Sequence, residues 1–221
     1  MDKIVVIAPH PDDETLGCGG TILKHIDNGD EVHWLICTEV DSDFGWTADQ
    51  IKRRNEEIKN VSQTFGFTSV IELRLPSTKI DLIPIRDLVE KISKPLHVIE
   101  PNILFIPWFM DVHSDHQIIS NSFQAFYKWF RYPFIKKAYM YEVLSETEYG
   151  QLGKATFKPN VFVDINTYLE KKISIMKNYK SEISEFPFPR SVRAIESLAF
   201  LRGSQSGFKA AEAFELIFER K

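Results

Sequence analysis

The sequence predicts an α/β protein with a Rossmann-like, mostly parallel sheet that is covered by helices on both faces. From Lys3 onward, short apolar runs rich in β-branched residues alternate with longer segments of helical periodicity. The apolar runs are nearly continuous, which is typical of strands buried on both sides. Helical connections between parallel strands make right-handed crossovers, and these cover both faces of the sheet.

The first half of the chain carries the clearest alternation. The apolar run at 3–8 stops at Pro9, and the helix after it stops at Asn28-Gly29. The next helix has a polar face and closes at Gly66, and a further helix is expected despite Pro84 and Pro95. We therefore predict strands at 3–8, 31–38, 69–73 and 103–106, and helices at 16–26, 47–65, 81–100 and 115–130.

The pattern weakens after Pro133, although alternation continues. A loop is expected at 185–189, where two prolines alternate with phenylalanines. We predict strands at 137–143 and 160–165, and helices at 168–179, 191–201 and 209–218. With no internal repeat, low-complexity tract or flexible linker, the sequence predicts one domain over residues 1–221.

Composition limits the classes of partner and the compartment. The net charge of -4 gives no electrostatic reason to bind nucleic acid or an anionic membrane, and the cluster Lys52-Arg53-Arg54 is interpreted as a solvated helix face. Cys18 and Cys37 are expected to be buried thiols in a reducing compartment. With neither a signal peptide nor an apolar run of the ~20 residues that a membrane span needs, the sequence predicts a soluble cytoplasmic protein.

Two loops are unusually rich in metal-ligating side chains. The first strand ends in Pro9-His10-Pro11-Asp12-Asp13-Glu14, and the strand at 103–106 leads to Asp111-Val112-His113-Ser114-Asp115-His116. In α/β sheets, ligands bind at the carboxyl ends of the strands. Imidazole and carboxylate groups suit zinc, which in catalytic sites keeps one position open for water. The sequence therefore predicts a metal site at the carboxyl ends of these two strands.

Spacing separates the candidates within each loop. His10 and Asp13 are three residues apart, as are His113 and His116, and residues three apart share a face of a helical turn. His10 and Asp13 can therefore reach one ion, which leaves Asp12 available as a base. The remaining histidines are predicted to be structural, because none has a carboxylate or a second histidine at this spacing at a strand end: His25, His33 and His97.

These motifs resemble the signatures of a known family. Ala8-Pro9-His10-Pro11-Asp12-Asp13-Glu14, followed by Gly17-Cys18-Gly19-Gly20-Thr21, resembles the opening signature of the LmbE-like or PIG-L family of zinc-dependent N-acetylglucosamine deacetylases. His113-Ser114-Asp115-His116 resembles its second signature, and Arg54-Asn55-Glu56-Glu57 with Phe65-Gly66 resembles its arginine–glutamate helix. Arg202-Gly203 and the segment 207–214 resemble the end of the bacterial sugar-deacetylase branch. The resemblance implies that residues at about 1–132 form the core of the domain. The C-terminal strands and helices at about 133–221 would complete the substrate side of the site.

The resemblance also implies roles for individual residues. His10, Asp13 and His116 would hold zinc, or another divalent ion such as Fe²⁺, and Asp12 would be the general base. The remaining implied roles belong to residues around the substrate: a protonated His113 would stabilise the oxyanion, Asp115 would orient and charge that imidazole, and Arg54 would contact the sugar. These roles suit amide hydrolysis, which needs an activated water, a stabilised oxyanion and a proton for the departing amine.

Other functions compete with a deacetylase. Gly17, Gly19 and Gly20 suggest a dinucleotide-binding oxidoreductase, but the Gly-x-Gly-x-x-Gly spacing is absent. Two histidines and a carboxylate also occur in non-haem iron oxygenases, which have no use for a second aspartate beside the metal. A non-catalytic sugar-binding module is a third alternative, in which a base beside the metal would have no purpose.

The sequence leaves the substrate and the oligomeric state open. A free, nucleotide-linked, lipid-linked or thiol-precursor N-acetyl sugar would present the same acetamide. Glu39 stands where many family members have glycine, in a loop that the resemblance places at the substrate pocket. The aromatic segment at 123–134 is interpreted as core, with the interface of a homo-oligomer as the alternative.

Overall fold

The computed structural model describes residues 1–150 and 155–221. Their strands are β1 (Lys3–Ala8), β2 (Glu31–Glu39), β3 (Ser69–Pro76), β4 (Ile103–Pro107), β5 (Lys137–Tyr141), β6 (Val161–Asp164) and β7 (Ala211–Glu219). Their helices are α1 (Asp13–Asp27), α2 (Ala48–Phe65), α3 (Ile85–Ile99), α4 (Ser114–Ser122), α5 (Leu169–Met176) and α6 (Val192–Ser206).

All the described strands belong to one sheet, in the order β3-β2-β1-β4-β5-β7-β6. The first five strands in this order pair in parallel, whereas β7 pairs antiparallel with both β5 and β6. The predicted α/β class and mostly parallel sheet are therefore confirmed.

The side chains of β1 alternate between two apolar cores. Ile4, Val6 and Ala8 join a core that includes residues of α1, α2, α5 and α6, whereas Val5 and Ile7 join a second core with residues of α3 and α4. Because successive residues of a strand point to opposite faces, a run that is apolar throughout requires cover on both sides. Helices on both faces follow from this burial.

Most predicted elements are present, with shifted ends. The predicted helix at 81–100 begins only at Ile85, after Pro84, whose fixed φ and missing N–H suit a helix start. The helix predicted to reach residue 130 ends at Ser122 and continues as a 3₁₀ turn over Phe123–Tyr127. These differences leave the order of elements unchanged.

The helix predicted at 209–218 is wrong, because Ala211–Glu219 form strand β7. Alanine, glutamate and leucine favour a helix when only local propensity acts. Here the segment lies between β5 and β6, where both neighbours supply hydrogen-bond partners to its backbone. Tertiary pairing therefore overrides the local preference, as is common for strands.

The cysteines and the aromatic segment occupy mostly buried positions. Cys18 and Cys37 are buried and free, as predicted. Phe123 and Phe126 are fully buried, whereas Trp129 and Phe130 are exposed. Among the described residues, no helix combines the length and the hydrophobicity that crossing a bilayer requires.

Candidate metal centre and its cavity

The two ligand-rich loops meet because their strands are neighbours. β1 and β4 pair in parallel, so their carboxyl ends lie side by side at one edge of the sheet. The loop after β1 leads into α1, whose first residue is Asp13, and the loop after β4 leads into α4, which His113 caps. The fold therefore brings together side chains that are about a hundred residues apart in sequence.

The first candidate set of metal ligands, named the metal set, consists of His10, Asp13 and His116. One ligand atom from each residue lies within 4.8 Å of those of the other two. The Nε2 atom of His116 is 3.2 Å from Oδ2 of Asp13, and Nδ1 of His10 is 3.6 Å from the same oxygen. Asp13 and His116 are buried, while His10 is partly exposed toward the cavity.

The environment of His116 fits a cation. Its Nδ1 lies 2.8 Å from Oδ2 of Asp111, whereas its Nε2 is buried and has no hydrogen-bond partner among the described residues. Proton donation from Nδ1 to Asp111 leaves the lone pair of Nε2 facing Asp13, the arrangement of a carboxylate–histidine–metal unit. Although burial lowers the pKa of His116, Asp13 and Asp111 raise it well above its ordinary value, so the site stabilises positive charge.

A second set of potential ligands shares His10 and adds His113 and Asp115, again with ligand atoms within 4.8 Å of one another. In this set, His10 Nε2 is 3.1 Å from Asp115 Oδ2. Burial lowers the pKa of His10, but the hydrogen bonds with Asp115 and Asp13 raise it to about 9. His10 thus lies between two carboxylates, of which Asp13 belongs to the more enclosed set.

Asp12, which precedes Asp13 in the chain, points away from the metal set. Its Oδ2 accepts a hydrogen bond from Nη1 of Arg190 at 3.3 Å, and its backbone N–H donates to Oε2 of Glu14 at 3.0 Å. Its φ of 135° lies in the left-handed region that favours glycine, so the backbone is strained here. Burial raises the pKa of Asp12 well above its ordinary value, reinforced by the charges of Asp13 and Glu182.

His113 lies beside His10 and His116, in surroundings that lower its pKa. Its Nδ1 accepts a hydrogen bond from the backbone N–H of Asp115 at 3.1 Å, so this nitrogen carries no proton. Burial, followed by the charges of His10 and His116, lowers the pKa of His113 to about 4. Burial and the two neighbouring imidazoles thus favour a neutral His113, and its protonated state during catalysis stays a prediction.

Asp115 makes two closer contacts in addition to the expected one with His113. Its Oδ2 accepts a hydrogen bond from the backbone N–H of Thr78 at 2.8 Å and lies 3.1 Å from His10 Nε2, but 3.9 Å from His113 Nδ1. The carboxylate of Asp115 therefore orients His10, and its backbone N–H orients His113. The charge of Asp115 also favours a protonated His113, and the role of Asp115 in orienting and charging that imidazole stays a prediction.

Arg54 is buried and bonded to protein groups. It donates to the carbonyl oxygen of Pro11 at 2.9 Å, to Ser181 Oγ at 3.2 Å and to the carboxylate of Glu182, and it faces Glu57 across 3.6 Å. These contacts tie α2 to the loop that carries the ligands. Direct contact between Arg54 and a sugar stays a prediction.

The site opens into a cavity of about 550 Å³. Its lining joins the metal set to the ends of β2 and β3 and to the start of α2. The residues from the predicted site that line it are His10, Asp12, Asp13, Arg54 and His113, together with Glu39. His116 and Asp115 are fully buried behind this surface.

Sequence reasoning gave no role to three residues of the site: Asp111, Glu182 and Arg190. Asp111 was visible in the second ligand loop, but its five-residue separation from His116 matches no regular spacing. Arg190 pairs with both Asp12 and Glu182, at 3.3 and 3.2 Å, from the far end of the chain. No local pattern indicates such a long-range pair.

Known proteins resemble this chain over most of its length. The diacetylchitobiose deacetylase of Thermococcus kodakarensis is 27% identical over 232 residues, covering 98% of this chain and 84% of that protein. The conserved protein TT1542 from Thermus thermophilus matches with a TM-score of 0.80 and 23% identity, covering 100% of this chain and 97% of the other. The N,N'-diacetylchitobiose deacetylase from Pyrococcus horikoshii matches with a TM-score of 0.75 and 22% identity, covering 98% and 84%.

The family model described as PIG-L, GlcNAc-PI de-N-acetylase, matches residues 5–127. This range includes both ligand loops and more than half of the chain. The chain therefore belongs to the PIG-L family of de-N-acetylases.

Proposed function

We propose that this protein is a metal-dependent hydrolase that releases acetate from the acetamide group of an N-acetylated amino sugar. One observation carries the proposal: His10, Asp13 and His116 converge on one point, and Asp12 and His113 line the same cavity without belonging to that set. Membership of a de-N-acetylase family supports the same reaction. We further propose that residues 1–221 act as one domain, because β5, β6 and β7 continue the sheet that carries the ligands.

His10, Asp13 and His116 would hold the metal, and the mixed nitrogen and oxygen donor set suits zinc, with Fe²⁺ as an alternative. A divalent ion in such a site acts as a Lewis acid on a carbonyl oxygen and makes water more acidic. Asp111 would hold His116 in the tautomer that this requires, because it accepts the proton of Nδ1.

Asp12 would act as the general base and then as the general acid. Its carboxylate lines the cavity, and burial with the charges of Asp13 and Glu182 raises its pKa well above the ordinary value. A raised pKa makes a carboxylate a stronger base toward water. It would take a proton from the attacking water and pass it to the departing nitrogen. Arg190 and Glu182 would position Asp12 for this transfer, through the contact of Arg190 with Oδ2.

His113 would donate a hydrogen bond to the oxygen that becomes negative when the acetamide is attacked. Since Nδ1 already accepts the N–H of Asp115, the neutral ring carries its proton on Nε2. A fixed neutral donor of this kind stabilises a developing oxyanion without being reorganised during the reaction. The role needs no positive charge on the ring.

Arg54 would hold the Pro11 carbonyl and Glu182 in place, and both residues line the cavity. Arg54 would also donate a hydrogen bond directly to the sugar. Asp115 would orient His113 through its backbone N–H. We propose a cytoplasmic location, on the sequence features alone.

The test is acetate release by metal-loaded protein from a panel of N-acetylated sugars, followed by NMR of the acetate methyl group. Stoichiometric acetate and free amine are expected, with release slowed roughly 10²- to 10⁴-fold in Asp12→Asn protein prepared in parallel. Sugar binding without acetate release would instead select a non-catalytic module. A change in nicotinamide absorbance, without acetate, would select an oxidoreductase.

A further inference from the structure

The cavity has two ends with different chemistry. The proposed metal ligands lie at the carboxyl ends of β1 and β4, whereas Glu39, Glu72 and Arg74 lie on β2 and β3 and line the same cavity. β3 is two strands away from β1 in the sheet, which corresponds to about 10 Å at the usual strand spacing. An N-acetyl sugar whose acetamide lies at the metal end would direct its attached group toward β2 and β3.

Negative charge dominates the lining of this cavity. Among the described residues, the lining holds seven carboxylate side chains and three arginines. Each of these arginines already faces carboxylates: Arg54 pairs with Glu182, Arg190 pairs with Asp12 and Glu182, and Arg74 lies 3.9 Å from Glu39. A phosphate group entering the cavity would therefore meet arginines that each already lie beside a carboxylate.

The distal end is shaped by a β-bulge. Relative to β2, strand β3 has one extra residue between Glu72 and Leu75, and Arg74 in this bulge has a φ of 52°. Bulges beside active sites re-aim side chains, and here Arg74 lies between two carboxylates, with Glu72 at 3.7 Å. Trp46 adds an aromatic surface to the lining of this cavity. A cavity lined by carboxylates and an aromatic ring suits the hydroxyl or amino groups of a sugar.

We propose that this cavity selects an N-acetyl sugar whose attached group is uncharged or carries an amine, and that it rejects one carrying a phosphate. Glu39 and Glu72 are the specificity-determining residues. This inference rests on the proposed deacetylation and names its substrate class. It excludes nucleotide-linked and phospholipid-linked sugars, which the acetamide chemistry alone would admit.

The test uses three glycosides of N-acetylglucosamine that differ only in the terminal group of a two-carbon chain: 2-aminoethyl, 2-hydroxyethyl and 2-phosphoethyl, each as both anomers. Metal-loaded protein should give kcat/KM values that fall in this order, with the phosphate compound about tenfold or more below the hydroxyl compound. The ratio should shrink at high ionic strength, because salt screens the repulsion.

Two variants locate the origin of the selectivity. Glu39→Gln and Glu72→Gln should each reduce the ratio of hydroxyl to phosphate compound by roughly threefold, through the loss of one charge at the distal end. Glu90→Gln makes the same chemical change on an exposed residue of α3 outside the cavity and should leave the ratio unchanged. An equal shift in all three variants would overturn the assignment to Glu39 and Glu72.

The outcomes separate this inference from the proposed function. Hydrolysis of all three glycosides at similar rates, or a preference for the phosphate compound, would overturn the inference and leave the deacetylase intact. If none is hydrolysed, the deacetylase proposal fails for this sugar. Calorimetric binding of the same compounds to the metal-loaded protein then tests the charge order by itself, and tighter binding of the phosphate compound would overturn it.

Discussion

Asp12 and Asp13 are adjacent in the chain but have opposite electrostatic environments. Burial by itself acts to raise the pKa of both carboxyl groups. For Asp13, the charge of His116 and the hydrogen bonds with His10 and His116 more than offset burial and hold its pKa well below the ordinary value. For Asp12, Asp13 and Glu182 reinforce burial. The difference follows from orientation, because Asp12 turns away at its positive φ.

The adjacent aspartates should respond differently to the same substitution. Asp12→Asn should retain the metal with little change in KM, while kcat falls by roughly 10²- to 10⁴-fold, as expected for loss of a general base. Asp13→Asn should bind metal more weakly, so part of its activity should return with excess zinc. Metal content and kcat of both variants, measured at several zinc concentrations, check this. Loss of metal from Asp12→Asn alone would show that the two roles are reversed.

His113 and His116 also separate by substitution. His113→Ala should keep the metal and lose roughly 10²- to 10³-fold in kcat, the usual cost of removing an oxyanion donor. His116→Ala should lose the metal, because His116 is buried against Asp13 and oriented by Asp111. The metal content of both purified variants, from elemental analysis, and their kcat values test this prediction. Metal loss from His113→Ala, with retention in His116→Ala, would favour the second ligand set.

At the scale of elements, a buried ion pair joins three of them. Lys172 of α5 and Glu212 of β7 are 2.6 Å apart and almost fully buried. Glu212 also accepts hydrogen bonds from the backbone N–H groups of Gly20 and Thr21 in α1, and Lys172 donates to the carbonyl oxygen of Leu16. The pair thus fastens α1, which begins at the proposed ligand Asp13, to the C-terminal part of the sheet.

Breaking this pair should destabilise the protein strongly. Glu212→Ala leaves a buried ammonium group without its partner, so the free energy of unfolding should fall by about 3–5 kcal/mol. Urea denaturation followed by circular dichroism measures it. The Lys172→Met/Glu212→Leu double variant should recover part of the loss, since it buries no charge.

The exposed Glu90–Lys94 pair of α3 supplies the control for this prediction. Glu90→Gln should change the free energy of unfolding by at most about 0.5 kcal/mol, because exposed helical pairs contribute little. A loss in Glu212→Ala no larger than that in Glu90→Gln would show that the buried pair does not fasten α1 to β7.

At the scale of the whole molecule, the metal set joins distant parts of the chain. His10 and His116 meet only because β1 and β4 are paired, so the complete ligand set exists in the folded state alone. A ligand that binds the folded state and not the unfolded state raises stability in proportion to the logarithm of its concentration. Metal binding should therefore stabilise the whole fold.

Chelation should abolish activity and lower the melting temperature together. Zinc at a thousand times its dissociation constant should contribute about 4 kcal/mol, or roughly 8–16 °C in a protein of this size. Differential scanning calorimetry of chelated and zinc-loaded protein measures the shift. Asp13→Asn protein should show a much smaller shift, and full activity after exhaustive chelation would contradict metal dependence.

Much of the fold and of the candidate site could be predicted because the signals are local. The alternation of strands and helices, the end of β1 at Pro9 and the two ligand loops can all be read within short windows. Since parallel strands share an edge at their carboxyl ends, the meeting of His10 with His116 also followed from the predicted sheet.

The sequence by itself thus determined the α/β class, the location of the proposed ligands at strand ends and the family. Only the tertiary structure decided that 211–219 form a strand, because two neighbouring strands supply its hydrogen bonds. It also decided that Asp115 contacts His10, that His113 Nδ1 accepts a hydrogen bond from the backbone N–H of Asp115 and that Arg190 reaches Asp12. These features depend on distances between segments remote in the chain, and such distances exist only once the backbone is packed.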